Sequence, residues 1–168
     1  MPAIKKELFA KTDRFNTISV ESERHNEDKD CAVKAVALAC DVSYDDVHAV
    51  MKELGREDRT GTPFNILESA VKHFGFKLQF VNPDNYIKDY KGVHGRVLKN
   101  VTSHHPDRFN YVWGDEQTYL FFTTNHVLPV INGVNHDWTR GSAKRVNSIY
   151  AVIPKTAKVS KYLKERAA

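Results

Sequence analysis

The stretch DKDCAVKAVALAC, residues 28–40, decides the fold. Up to Asp30 the chain is charged and irregular, ESERHNEDKD over residues 21–30. From Cys31 onward Val33, Val36, Ala37 and Cys40 recur at i, i+3, i+4 and i+7, the apolar stripe of a helix. Asp30 stands where a helix cap is favoured, which puts Cys31 in the first turn. Unpaired backbone N–H groups and the helix dipole favour an anion there, so a thiol in that turn ionises more easily than a free one. Taken alone this says little, because a first-turn cysteine is commonly structural. Cys40 lies in the apolar stripe and reads as a small buried thiol. On one helix the two cysteines are about 13 Å apart along the axis, too far to bridge. No CxxC pair is present, so each is explained singly, Cys31 as reactive thiol and Cys40 as core.

Downstream, Ser43 can cap Asp46 and open a second helix through Val47, Val50, Met51 and Leu54, stopping at Gly55. A third begins at Thr62 with Pro63 in the first helical position, carries Ile66, Leu67, Ala70, Val71 and Phe74, and ends at Gly75. The period then changes: Phe76, Leu78 and Phe80 alternate with Lys77 and Gln79, a half-buried strand. Residues 82–117 hold Pro83, Gly92, Gly95, Pro106 and Gly114, which predicts loops with one or two short strands. From Thr118 the strands are clear: TYLFFTT, HVLPVI, an Asn132–Gly133 turn, the return VNHDWT, and VNSIYAVI. Upstream of the decisive stretch, Phe15 to Val20 reads as a strand. Helices first and antiparallel strands afterwards give an α+β class.

At 168 residues the chain is expected to form a single domain, 1–168, with a basic tail over 155–168. Apolar residues make up 41% and charged residues 27%, which rules out a disordered or collagen-like chain. The longest apolar runs, AVALAC and VLPVI, fall far short of the ~20 residues that cross a bilayer. The charged start MPAIKKELFAKTDRF lacks the apolar core of a secretory signal, so a cytoplasmic location, with no membrane partner, is expected. The net charge of +4 is spread along the chain except in the tail KTAKVSKYLKERAA. A solvated terminal helix accounts for that tail, with nucleic-acid contact as the alternative.

The hairpin around Asn132–Gly133 brings further polar groups together. With those two as turn residues, Ile131 faces Val134, Leu128 faces Asp137 and His126 faces Thr139. Alternation then puts His126, Leu128, Asn135, Asp137 and Thr139 on one face. Asp137 becomes a diagonal neighbour of His126, near enough for a carboxylate to orient an imidazole. Pro129 falls opposite His136 where a ladder N–H is expected, and proline has none. Either one bond is lost, or a bulge shifts the register and makes Asn135 or His136 the partner instead.

DKDCAVKAVALAC, then GTPF before a helix, then TYLFFTTNHVLPVINGVNHDW resembles papain-like cysteine peptidases, especially small phage and bacterial members near the bacteriocin-processing and transglutaminase-like branches. The resemblance spans roughly Asn26 to Trp138, with residues 82–117 unmatched. It implies a papain-like fold, N-terminal helices on an antiparallel sheet, and a thiol hydrolase using Cys31 as nucleophile, His126 as base and Asp137 to hold the imidazole. It also implies that a side-chain amide upstream of the cysteine joins the oxyanion hole, and Asn26 is the amide in that loop. Peptide, isopeptide and glutamine amide bonds are all within such chemistry, with no cofactor; an amine acceptor would make it a transferase.

Two other readings compete. A zinc site could draw on His104, His105, His126, His136 and Asp137, but His136 and Asp137 point to opposite faces of one strand. A catalytically inactive module of the same fold could bind a protein or nucleic-acid partner.

Overall fold

The computed structural model of the chain describes residues 13–81, 96–97, 118–123, 125–131, 134–136 and 144–157. Among them are four helices: α1 (Asp13–Arg24), α2 (Cys31–Ala39), α3 (Tyr44–Glu53) and α4 (Phe64–His73). The strands are β1 (Phe76–Val81), β2 (Arg96–Val97), β3 (Thr118–Thr123), β4 (His126–Ile131), β5 (Val134–Asn135) and β6 (Lys144–Pro154). Every pairing is antiparallel, in the order β1-β6-β3-β4-β5 with β2 also on β6. The chain is α+β. None of the described helices is long and apolar enough to cross a membrane.

α2 is the centre of the helical layer. Ala32, Val33, Ala35, Val36, Ala37 and Leu38 are all buried, so apart from Lys34 the apolar surface extends well beyond a single stripe. It packs on β4 and is flanked by α1, α3 and α4. The sheet contributes Leu120, Val127 and Val152 to the same core, which also holds Ile18, Tyr44, Met51 and Leu67. Cys40 belongs to this core and is buried.

The expected strand at Phe15 to Val20 is corrected: these residues lie inside α1. The buried positions Ile18, Glu21 and Ser22 do follow helical spacing, but two of the three are polar, so the apolar period is hidden. Arg14 of α1 donates to the carbonyls of Ala37 and Val42, satisfying the C-terminal end of α2.

All four helices end the same way. A residue in the left-handed region follows each cap: Asn26 (φ 52°), Asp41 (φ 53°), Gly55 (φ 111°) and Gly75 (φ 90°). After α3 the Arg56 N–H reaches the Met51 carbonyl at 2.9 Å and Gly55 reaches Lys52 at 3.0 Å, the Schellman pattern that glycine makes cheap. Ser43 caps Asp46 at 3.1 Å, as expected. Pro63 occupies the cap of α4 and not its first turn, one residue later than the sequence predicts.

Sequence and structure agree on the second hairpin: Ile131 faces Val134 and Val130 faces Asn135. As far as His136 the register does not shift, and Asp137 lies outside the described residues. The His136 N–H donates to the Pro129 carbonyl at 3.0 Å, and proline has no N–H to offer in return. The β3–β4 hairpin closes with Thr123 opposite His126, Asn125 taking a left-handed φ of 58° in its two-residue turn. Of the basic tail over 155–168, only the residues to Ala157 are described.

Candidate functional site

Cys31 is the first residue of α2 and lines a cleft of about 900 Å³. One wall of the cleft is the loop Gly61–Pro63 with Phe64 and Leu67 of α4; the other is Phe122, Asn125, His126, Val127 and Pro129 of the β3–β4 hairpin. The floor is the start of α2 with the charged residues just before it.

β4 delivers two groups to the sulfur. His126 opens the strand, and its imidazole is hydrogen-bonded to the Cys31 sulfur. The Val127 N–H is the second, and the register explains why it is available. Thr123 and His126 form the bonded pair that closes a two-residue turn, so Val127, next along and opposite Phe122, turns its amide away from β3. That N–H donates to the sulfur, as does the Ala32 N–H in the first turn of α2. Burial by itself pushes the thiol up. The hydrogen bond from His126, the Val127 N–H, the electrostatic interaction with His126 and the Ala32 N–H outweigh it, so the thiol lies below its ordinary 9.0. Cys40 has burial and nothing to offset it, and its thiol is pushed up to about 12.

Asp30 holds the cap position but does not cap. Its carboxylate is buried and turned inward, accepting from Ser22 Oγ at 2.5 Å and Tyr44 Oη at 2.7 Å. Lys34 sits 3.5 Å from its other oxygen and also lines the cleft. The anion-favouring end of α2 is therefore left to the thiol. Burial, followed by the bond to Asp30, pushes the Tyr44 hydroxyl well above its ordinary value, so it stays a donor.

Asn26 is exposed and does not line the cleft. It is the left-handed residue that ends α1, its N–H bonded to the Glu23 carbonyl at 3.0 Å, so the structure gives it a backbone role and does not bring it to the cleft lining where the oxyanion hole is expected. The side-chain amide that the cleft does contain, among the described residues, is Asn125. Sequence reading passed over it, although an asparagine before a strand in TTNHV is a turn signal of the kind that tolerates left-handed backbone. Asp137 lies outside the described residues, as do Asn132, His104 and His105. His136 is buried apart from the cleft lining, and burial lowers its pKa.

Among the described residues, Glu27, His48 and Asp58 form a converging group of carboxylates and imidazole. Both Glu27 oxygens are taken by Arg56, at 3.0 Å each, so the cluster is an ion-pair network already satisfied by a guanidinium.

Comparison of the chain with protein-family models, with curated proteins and with solved structures finds no match.

Proposed function

We propose that the chain is a cysteine-dependent hydrolase of papain-like fold that cleaves a peptide, isopeptide or glutamine amide bond through a thioester. One observation carries this reading: Cys31, the first residue of a helix, shares a cleft with His126 of β4, an arrangement in which His126 and the Val127 and Ala32 N–H groups lower the thiol against the effect of burial. The core thiol Cys40 shows the opposite.

The Cys31 thiolate attacks the acyl carbon, and the protonated His126 gives its proton to the departing amine, leaving an acyl-enzyme thioester. His126 then takes a proton from water, which attacks the thioester and releases the acid and the thiol. The oxyanion formed at each step needs donors near the sulfur; the first-turn N–H groups of α2 and the amide of Asn125 are the groups the cleft offers. Asp137 is the candidate to orient His126.

A module that binds a partner without turnover is the second reading. The exposure of Asn26, which leaves the expected amide outside the cleft, favours it.

Incubating the protein with peptide, ubiquitin-like isopeptide and glutamine-amide substrates separates the two. Hydrolysis of one class, abolished by Cys31→Ser with a trapped acyl adduct on Cys31 in the unmodified protein, is the expected result. Tight binding with no adduct and no turnover on any class selects the binding module.

A further inference from the structure

Glu27 lies four residues before Cys31, in the loop that forms the floor of the cleft, and its side chain is completely buried. Arg56, equally buried, begins the loop that forms one wall. The guanidinium grips both carboxylate oxygens, Nη1 to Oε1 and Nη2 to Oε2, at 3.0 Å each. Two further donors go to the wall itself: Nε to Thr62 Oγ1 at 3.1 Å and Nη2 to the Thr60 carbonyl at 2.9 Å. Glu27 reaches the same loop directly through the Arg59 N–H at 3.0 Å, with Arg59 in a left-handed φ of 63°. His48 of α3 closes the network on Glu27 Oε1 at 3.0 Å and lies 3.4 Å from Asp58. His25 stacks on His48, and Asp45 pairs with His25 at 2.8 Å.

Two loops that carry no regular structure are thereby tied at one buried point. Burial alone would raise the Glu27 carboxyl, but the bonds from Arg56, His48 and Arg59 outweigh it and hold it at about 2, so the carboxylate stays ionised near neutral pH. A buried pair of this kind is weak support for stability on its own, since apolar packing of the same volume would serve as well. Bidentate geometry combined with bonds to backbone and hydroxyl groups of the loop gives something packing does not, a fixed direction and distance.

Resting on the hydrolase reading of Cys31, we propose that the Glu27–Arg56 pair is a positioning device for the cleft: it fixes Gly61, Thr62 and Pro63 relative to Cys31 and so sets which substrates reach the thiol. Neither residue lines the cleft, and both act through the wall.

The test compares alkylation of Cys31 by a small electrophile, iodoacetamide, with alkylation by a bulky one, an N-blocked phenylalanyl chloromethyl ketone, in the full chain and in Arg56→Lys and Glu27→Gln. The ratio of the two rates should change by roughly tenfold in each variant, as expected for a misplaced wall, while the pH midpoint of the iodoacetamide reaction stays where it was. An unchanged ratio overturns the proposal, and so does a midpoint that moves, because the pair would then act on the thiol itself. Amide hydrogen exchange at Arg59 in the unmodified protein, before and after labelling with the bulky ketone, decides the matter even if the variants fail to fold. Protection comparable to the backbone of α4 in both states is expected; exchange at the rate of a free loop in either state overturns the proposal. The iodoacetamide midpoint of the unmodified protein reads Cys31 and His126 alone, so failure of the hydrolase reading appears there and failure of the positioning device appears in the ratio.

Discussion

Asp30 stands beside Cys31 in sequence yet points its carboxylate the other way, into Ser22 and Tyr44. The sequence offers a reason to expect a cap there, because aspartate before a helix commonly accepts from its first turn. What it does not show is that two hydroxyls from α1 and α3 compete for the same oxygen, a choice settled by packing over long range. Asp30→Ala would strand two buried hydroxyl donors and remove the carboxylate oxygen that lies 3.5 Å from Lys34. The cost should be about 3 kcal/mol, read as a lower urea midpoint with an unchanged slope, and Asp30→Asn should cost less because an acceptor remains. An Asp30→Ala midpoint within error of the unmodified protein would mean the carboxylate is not part of the core.

At the scale of elements, most of what the sequence yields comes from local chemistry. The three helices from α2 to α4 follow from apolar spacing, helped at α3 by the Ser43 cap, and the hairpin register around Asn132–Gly133 follows from turn chemistry, including the bond that Pro129 cannot make. The helix ends are half legible. Gly55 and Gly75 announce their stops, whereas Asn26 and Asp41 do the same work with a side chain that disguises it. Reading Asn26 by resemblance gave it a role in the cleft, while its backbone conformation gives it a role in ending α1. The two separate on substitution. Asn26→Gly should leave Cys31 alkylation unchanged and stability equal or slightly higher, and Asn26→Ala should cost about 1 kcal/mol. Loss of Cys31 reactivity in a stably folded Asn26→Gly protein would return the amide to the site.

For the whole molecule, the α+β order of elements is readable from period changes along the chain, but the sheet order is not. β6 slips between β1 and β3, a pairing between distant segments that no local signal encodes. The meeting of Cys31 with His126 is of the same kind: each is recognisable as a candidate where it stands, and only the packing of α2 on β4 joins them. The central claim is that this meeting makes the thiol reactive, and the most direct test is the rate of iodoacetamide alkylation at each cysteine as a function of pH, with and without His126. Because burial raises the Cys31 thiol and His126 lowers it, Cys31 should react with a midpoint below 9.0 in the unmodified protein. In His126→Ala the same thiol should move upward, while Cys40, near 12, stays slow in both. A Cys31 midpoint at the free-thiol value, unmoved by His126→Ala in a folded protein, would contradict the account.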